Sequence, residues 1–230
     1  MRELIDAISK IEQACKAAGR DPKTVEIELA VKTRTAEECL AAAQTLQNAG
    51  RPALLAHNRV QEALAMREPL AANPQIHMSL IGPLQKNKIN HALRCFHMVE
   101  TVASVELATA LSKRVQNTTP LPILIQVNTS GENTKHGLTP DQAIPTALAI
   151  NELPHLQIQG FMTIGAHSDD PEKVRASFRA LRQIRDQATT HGQLRDARTL
   201  SMGMSSDYAM AIAEGATRVR LGSMVFGSRK

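Results

Sequence analysis

The feature that most constrains the fold of this chain is a regular alternation of short β-rich runs with longer helical patterns. Candidate strands lie at residues 26–32, 53–56, 76–80, 96–99, 122–128, 156–161, 198–201 and 217–221. Helical patterns fill most intervals, at residues 35–49, 58–71, 103–116, 140–151, 171–191 and 206–214, with a shorter and less regular one at 84–93. Such an alternation is typical of βα units that build a parallel sheet.

Eight strands joined by helices favour an α/β fold in which the sheet closes into a (β/α)8 TIM-type barrel. A doubly wound open sheet is the alternative, but no G-x-G-x-x-G motif follows any strand. The first twenty residues, MRELIDAISKIEQACKAAGR, add an amphipathic N-terminal helix. The chain has 230 residues, 43% of them hydrophobic, and no Pro/Gly/Ser linker divides it. We therefore predict a single barrel domain over residues 1–230.

The net charge of +5 suits an anionic partner, of which nucleic acid is the obvious candidate. The chain has no Trp, one Tyr and four Phe, however, so aromatic platforms for stacking bases are scarce. The densest basic stretch is Arg175, Arg179, Arg182 and Arg185, whose helical spacing predicts a solvated helix face. We expect no nucleic-acid partner, and a basic nucleic-acid- or protein-binding barrel without a cofactor remains an alternative suggested only by charge.

Neither membrane spans nor disulfides are expected in this chain. No apolar run approaches the roughly 20 residues that cross a bilayer, and the N-terminus carries charges where a signal peptide has an apolar core. Cys15, Cys39 and Cys95 are an odd set without C-x-x-C spacing, which fits neither a disulfide framework nor a zinc site. Their positions predict buried packing. A reducing cytoplasm is the simplest setting, and we predict no metal site.

Lys32 stands where the alternating strand VEIELAVKTRT, residues 25 to 35, gives way to polar residues. The C-terminal ends of the strands of a βα barrel meet on one face, which is where such barrels carry their chemistry. A partly desolvated amine there, near other cations, has a lowered pKa and attacks aldehydes. The alternative is a lysine that extends into solvent, which is the commoner case for an arbitrary barrel lysine.

The last two strands are each followed by a polar turn. Ser205 and Ser206 follow the seventh, and Gly222 and Ser223 follow the eighth. Alone, each is explained as a helix cap or a turn residue, but together they predict a phosphate site, which barrels often build after strands seven and eight. A ligand with both an aldehyde and a phosphate would connect these turns with Lys32. Pyridoxal 5′-phosphate (PLP) is such a ligand.

At these residues the sequence resembles the YggS/PROSC family of PLP-binding proteins, which share the barrel of the alanine racemase N-terminal domain. The resemblance covers nearly the whole chain. Its most specific stretches are HNRVQE (57–62), IGPLQKNK (81–88), GENTKHG (131–137), SMGMSSD (201–207) and VRLGSMVFG (219–227).

The resemblance implies a cofactor site made of Lys32, Asn58, Ser205, Arg220, Gly222 and Ser223. In it Lys32 matches the lysine that forms a Schiff base with PLP, and Arg220 matches the arginine that faces the pyridine nitrogen. Ser205, Gly222 and Ser223 match the phosphate-binding positions, and Asn58 lines the pocket.

Two departures affect the hydrogen bonds expected in the pocket. Ala56-His57-Asn58 stands where relatives commonly have Gly-Glu-Asn, and Val31 where Ser or Thr is common. His57 is either an acid/base group near the cofactor or a loop histidine with its hydrogen bonds satisfied.

An arginine at the pyridine nitrogen has consequences for chemistry. PLP enzymes that use the ring as an electron sink pair this nitrogen with a carboxylate, whereas Arg220 only donates and leaves the nitrogen unprotonated. Alanine racemase also uses a tyrosine from an additional C-terminal domain, and this chain ends at Lys230, soon after its eighth strand. The only tyrosine, Tyr208, is expected to pack in the helix after strand seven.

We therefore predict a PLP carrier or buffer in vitamin B6 and amino-acid homeostasis, without dedicated catalysis and without catalytic residues. Apo-PLP enzymes are the expected recipients of the cofactor, and the protein is expected to be a monomer. A low-activity PLP-dependent amino-acid racemase or lyase is the alternative.

Overall fold

The strands form a closed parallel barrel in a computed structural model that describes residues 1–116, 118–132 and 134–227. The strands are β1 (Glu26–Ala30), β2 (Ala53–His57), β3 (Ile76–Leu80), β4 (Met98–Val102), β5 (Leu121–Gln126), β6 (Leu156–Met162), β7 (Thr199–Met204) and β8 (Arg218–Leu221). Each pairs in parallel with the next, and β8 pairs with β1. The predicted (β/α)8 barrel is confirmed. Asn133 of the GENTKHG stretch and Lys230 lie outside the described residues.

The helices fall in the predicted intervals. They are α1 (Arg2–Ala17), α2 (Ala36–Asn48), α3 (Val60–Leu70), α4 (Ile89–Ala92), α5 (Val105–Ser112), α6 (Pro140–Asn151), α7 (Pro171–Ala188), α8 (Tyr208–Ala213) and α9 (Ser223–Phe226), with 3-10 helices at Pro22–Thr24, Lys86–Lys88 and Gly192–Leu194. The irregular pattern at 84–93 is thus a 3-10 turn followed by the short α4. The helix predicted at 103–116 is shorter than its pattern and spans 105–112.

Local hydrogen bonds start several helices directly after the loops that follow the strands. The α2 helix begins with a capping box, in which Thr35 Oγ1 accepts from the Glu38 amide at 3.3 Å and the Glu38 carboxylate accepts from the Thr35 amide at 2.8 Å. The Asp170 carboxylate likewise caps α7, whose first residue is Pro171. The capping box starts α2 only a few residues after β1, so the β1–α2 loop is short and its residues stay at the rim of the barrel.

The apolar core lies between the strands and the surrounding helices, and the inside of the barrel is largely polar. Leu29, Leu55 and Val99 belong to the large cluster under the helices. A separate small cluster of Met98, Leu124 and Met162 fills one layer of the interior. The buried polar residues include a charged set from the inward faces of the strands: Glu28, Glu100, Arg218 and Arg220.

The N-terminal helix closes the outer layer of the barrel. The helix that follows β8, α9, has only four residues, and α1 packs against α2, α8 and α9. The buried face of α1 consists of Leu4, Ala7, Ile8, Ile11 and Cys15. The extra N-terminal helix is therefore present, and it covers a part of the sheet that α9 is too short to cover.

The arginines of α7 form an ion-pair cluster as well as a solvated face. Three of them lie within 4 Å of the carboxylate of Glu214, Arg175 at 3.9 Å, Arg179 at 3.1 Å and Arg182 at 3.4 Å. Their side chains are 35, 42 and 35% exposed, and that of Glu214 is 9% exposed. The sequence-based interpretation of this stretch as a solvated face missed its role in joining α7 to the turn after α8.

The cysteines behave as predicted, since Cys15, Cys39 and Cys95 are all buried and free. Burial raises the pKa of each thiol, that of Cys39 to about 11. None of the helices in the described ranges is both long enough and apolar enough to cross a membrane.

Candidate binding site at the mouth of the barrel

Lys32 lies in a tight turn immediately after β1, not in the strand as the pattern at 26–32 predicts. The Val31 amide still donates to the Ala56 carbonyl at 3.0 Å, which makes it the last link to β2. Thr33 then has φ of 59°, a left-handed conformation that β-branched residues rarely adopt. Arg34 Nε donates to the Lys32 carbonyl at 3.3 Å. This turn ends the strand early and holds the partly buried Lys32 at the C-terminal mouth of the barrel.

The loops after β7 and β8 are joined through one side chain. Ser205 Oγ accepts hydrogen bonds from the backbone amides of Gly222 and Met224, both at 3.2 Å. Ser205 is therefore not the cap of the next helix, because α8 begins at Tyr208 after Asp207. Ser223 is the first residue of α9. The predicted phosphate-binding residues thus form one polar cluster, in the place where barrels often bind phosphate.

The loop that contains Lys32 lies beside this cluster. Because β1 and β8 are neighbours, Leu29 pairs with Leu221, and a Cβ placed on Gly222 would lie 3.6 Å from that of Ala30. Across the same gap, the guanidinium of Arg34 lies 5.7 Å from the centre of the Phe226 ring. The first and the last strand therefore bring the amine and the polar cluster to adjacent loops on one face.

Arg220 points into the barrel from β8 and is 4% exposed. Its Nη1 donates to Ser201 Oγ at 2.6 Å, and its Nη2 donates to the Thr163 carbonyl at 2.8 Å. Over the described ranges, no Asp or Glu forms an ion pair with it within 4.0 Å. Neutral acceptors hold this permanent cation, so its charge is not cancelled by direct contact with a carboxylate.

Asn58 follows β2 and is fixed through its backbone. A Cβ on Gly82 would lie 2.1 Å from the Asn58 carbonyl oxygen, so only glycine fits in this turn of the IGPLQKNK stretch. The Oδ1 atom of Asn58 is buried and has no hydrogen-bond partner in the part of the chain that the structure describes. Such an orphaned acceptor costs about 1–3 kcal/mol, and it indicates a position where a ligand or water donates.

His57 is not part of the mouth. It is 1% exposed and shares the outward face of β2 with Leu55, and its ring centre lies 6.3 Å from that of Phe96. Neither ring nitrogen has a hydrogen-bond partner among the described residues, so it is not a loop histidine with its hydrogen bonds satisfied. Burial lowers its pKa to about 4. His57 is therefore a neutral ring between strand and helices.

Sequence reasoning assigned no role to two residues of the GENTKHG loop that lie near the mouth. Lys135 Nζ donates to the Glu132 carboxylate and to the Gly165 carbonyl, both at 2.7 Å, and its side chain is 16% exposed. Glu132 also accepts from the His167 amide at 3.2 Å. These bonds, the one from Lys135 foremost, lower the pKa of Glu132. The loop after β5 is thereby anchored to the segment after β6.

The charged residues inside the barrel were also missed. Arg218 Nη1 donates to Glu100 Oε1 at 2.6 Å, and Arg218 Nη2 donates to Glu26 Oε2 at 2.8 Å. Glu28 is fully buried, and neither of its carboxyl oxygens has a hydrogen-bond partner among the described residues. Burial and the charge of Glu100 raise the pKa of Glu28 to about 8. At neutral pH the interior therefore holds Glu28 as a neutral acid.

A cavity of about 990 Å³ lies at the opposite, N-terminal face of the barrel. Its lining includes Arg67, Arg94 and Arg114, which stand at or just after the ends of α3, α4 and α5. Arg114 Nη1 donates to the Ala110 carbonyl at 2.9 Å. Cations at helix C-termini stabilise the helix dipole, and this face of a barrel usually serves stability. The cavity is therefore not our candidate site.

Comparison with known proteins places the chain in a family. Residues 9–230 match the family described as the alanine racemase N-terminal domain. The chain is also 37% identical over 227 residues to the pyridoxal phosphate homeostasis protein of Pseudomonas aeruginosa, a match that covers 96% of this chain and 92% of the relative.

Two solved structures show the same fold. A protein of Bifidobacterium adolescentis described as unknown is 35% identical, with a TM-score of 0.89 over 98% of this chain and 93% of that one. PipY of Synechococcus elongatus, solved with PLP bound, is 29% identical, with a TM-score of 0.79 over 94% of this chain and 99% of that one. The chain therefore belongs to the family of pyridoxal phosphate homeostasis proteins, whose barrel is that of the alanine racemase N-terminal domain.

Proposed function

We propose that this protein binds PLP at the mouth of the barrel, holds it as a Schiff base on Lys32, and acts as a carrier or buffer of the cofactor. The observation that carries the proposal is that the turn of Lys32 lies beside the loops joined by Ser205 and Gly222. The PLP-bound structure of PipY supports the choice of ligand.

The side chains at the mouth fit PLP group by group. Lys32 supplies an amine for the aldehyde, and the hydroxyls and amides around Ser205, Gly222 and Ser223 suit the phosphate. Arg220 offers a donor to the ring nitrogen, and the orphaned Oδ1 of Asn58 can accept a hydrogen bond from the ligand. No carboxylate of the described residues pairs with Arg220. Its guanidinium is therefore available to donate to a pyridine nitrogen that carries no proton.

Bound PLP would supply an aldehyde carbon that exchanges between amines and a ring that accepts electron density. The residues of this chain favour the first property over the second. Arg220 cannot return a proton to the ring nitrogen, because its guanidinium stays protonated at all ordinary pH values. Tyr208 packs against the apolar core and is partly buried at the start of α8. This arrangement supports holding and exchanging the cofactor without dedicated catalysis.

In the cell, such a protein would take part in vitamin B6 and amino-acid homeostasis. Free PLP is a reactive aldehyde, and a reversible Schiff base keeps it bound while leaving it transferable to another amine. We propose that apo-PLP enzymes in the cytoplasm receive it and that the carrier acts as a monomer. PLP-loaded protein is expected to activate an apo-enzyme faster than free PLP at the same concentration, and an equal or slower rate would contradict the transfer role.

The binding proposal is tested by the visible absorption of the purified protein after PLP is added, followed by borohydride reduction and peptide mass mapping. We expect a yellow adduct that maps to Lys32 and is lost in Lys32→Ala but retained in Lys173→Ala, which removes an exposed lysine of α7. An adduct scattered over surface lysines, or none, would overturn the proposal.

A second candidate function is that of a slow amino-acid racemase, because the chain shares its barrel with alanine racemase. The test is incubation of the PLP-loaded protein with single enantiomers of amino acids, followed by chiral separation. Racemisation faster than that caused by PLP alone, and lost in Lys32→Ala, would favour this function over the carrier.

A further inference from the structure

We propose that Ser201 and Glu100 are positioning residues that fix Arg220 through a buried hydrogen-bond relay, so that its guanidinium is oriented before a ligand arrives. The inference rests on the proposed function, in which Arg220 donates a hydrogen bond to the ring nitrogen of PLP. Ser201 is 0% exposed on β7, and Glu100 is 0% exposed on β4. Both lie inside the barrel, away from the loops in which sequence reasoning looked for site residues.

The direction of each hydrogen bond in the relay follows from the chemistry of the groups. Arg220 can only donate, so the Ser201 hydroxyl oxygen accepts from Nη1 at 2.6 Å. The one proton of that hydroxyl is then directed to Glu100 Oε2, also at 2.6 Å. Ser201 therefore links a cation to a carboxylate, and rotation of its hydroxyl would break one of the two bonds.

Glu100 is held in place by a second partner. Its other oxygen accepts a hydrogen bond from Arg218 Nη1 at 2.6 Å, and bonds that involve a charged group are among the strong ones. Arg218 in turn binds Glu26, whose side chain is 41% exposed. The relay thus runs across the barrel interior from Glu26 to Arg220, without a break.

The charges along the relay balance when Glu28 is neutral. Two cations, Arg218 and Arg220, stand against two anions, Glu26 and Glu100. Buried charges that lack partners are costly, and each member of the relay has at least one. A guanidinium held at two points keeps its orientation, and such preorganisation raises affinity by lowering the ordering cost of binding.

Ser201→Ala tests the relay because it separates Arg220 from Glu100 and leaves the Glu100–Arg218 pair in place. We expect the dissociation constant for PLP to rise about tenfold, the effect of losing one hydrogen bond to a charged group. The absorption band of bound PLP should shift as well, because the cation beside the ring moves. The matched control is Ser112→Ala, which removes another buried hydroxyl, one that donates to the Pro154 carbonyl at 2.6 Å on the outside of the barrel.

A second measurement needs no PLP. In apo-protein with isotope-labelled arginine, the guanidinium N–H signals of Arg220, identified by their loss in Arg220→Lys, should be sharp and slow to exchange. We expect Ser201→Ala to broaden or abolish them and Ser112→Ala to leave them unchanged. If Ser201→Ala fails to fold, Glu100→Gln serves instead, since it keeps the shape of the side chain and removes the charge to which the Ser201 hydroxyl donates.

The outcomes separate the two proposals. Arg220 signals that are unaltered in Ser201→Ala, together with an unchanged dissociation constant, would overturn the relay even if the wild type binds PLP on Lys32. A wild type that binds no PLP overturns the proposed function. In that case, loss of the Arg220 signals in Ser201→Ala still supports the relay.

Discussion

Glu28 and Glu100 face the same guanidinium inside the barrel, and only one of them binds it. Arg218 Nη1 lies 2.6 Å from Glu100 Oε1 and 4.0 Å from Glu28 Oε1. The groups that face Glu28 are Ser79 on β3, Glu100 on β4, and Arg218 and Arg220 on β8. Arg218 already pairs with Glu100 and Glu26, so burial and the charge of Glu100 leave Glu28 with its proton.

This relationship predicts how stability depends on pH. The pKa of Glu28 rises from 4.5 in the unfolded chain to about 8 in the fold, so folding binds a proton between these values. The contribution of Glu28 to stability is full below pH 4.5 and is lost as the pH rises towards 8, with a slope of about 1.4 kcal/mol per pH unit. Glu28→Gln removes this titrating group. The free energy of unfolding of the variant, relative to that of the wild type, should therefore increase as the pH rises from 4.5 to 8.

Urea unfolding of both proteins between pH 5 and pH 8 measures this difference. Glu106→Gln, which changes a side chain that is 76% exposed, is the control and should run parallel to the wild type. A constant difference between Glu28→Gln and the wild type would show that Glu28 is already ionised in the fold.

Gly82→Ala is predicted to disturb both the fold and the site. The new Cβ would lie 2.1 Å from the Asn58 carbonyl oxygen, and backbone on both sides must move to make room. We expect a loss of about 1–3 kcal/mol in the free energy of unfolding, as for other overpacked positions, together with weaker PLP binding. Gly192→Ala is the matched control, because a Cβ there meets no atom within 4 Å. Equal stability of the two variants would contradict the prediction.

Ser205→Ala is predicted to weaken binding of the phosphate rather than of the ring. The change removes the acceptor of the Gly222 and Met224 amides and one hydroxyl of the polar cluster. Affinity for PLP should fall about tenfold, while affinity for pyridoxal, which has no phosphate, should change little. Ser206→Ala, at the exposed neighbouring position, is the control. Equal losses for both ligands would show that Ser205 acts on the fold and not on the phosphate.

Glu214→Gln is predicted to destabilise the seam between α7 and the turn after α8. Three arginines lose their shared carboxylate and repel one another, although partial exposure screens them. We expect a loss of about 1–2 kcal/mol that shrinks in high salt, measured by thermal or urea unfolding at two ionic strengths. Asp196→Gln, whose single ion pair with Arg195 is exposed, should change stability by much less. A loss that salt does not reduce would indicate that Glu214 acts through packing alone.

The order of strands and helices could be predicted from periodicity, because each βα unit is a local pattern with its own start and stop signals. The start of α2 at its Thr35–Glu38 capping box is an example. The end of β1 could not be predicted in this way. The alternating apolar residues continue to Val31, but the left-handed conformation of Thr33 turns the chain. The polar turns after β7 and β8 were found because the C-terminal ends of barrel strands are a known location for function.

The interior relay could not be predicted for a different physical reason. Glu26 and Glu28 alternate with Val25, Ile27 and Leu29, a pattern that for a sheet with one wet face places glutamates in solvent. In this barrel the apolar face of β1 lies under the helices, and the glutamates point inward. Which carboxylate meets which guanidinium then depends on the register between β1, β4, β7 and β8, which no local pattern contains.

Because β8 closes the barrel against β1, the candidate binding site forms late in the synthesis of the chain. The ribosome releases β1 and α1 early, yet β1 lacks its second neighbour, and α1 lacks α8 and α9, until the last strand has been made. Contacts between segments so distant in sequence form slowly. In a nascent chain, α1 therefore lacks its contacts with α8 and α9 during most of synthesis, and the turn of Lys32 reaches the loops after β7 and β8 only at the end.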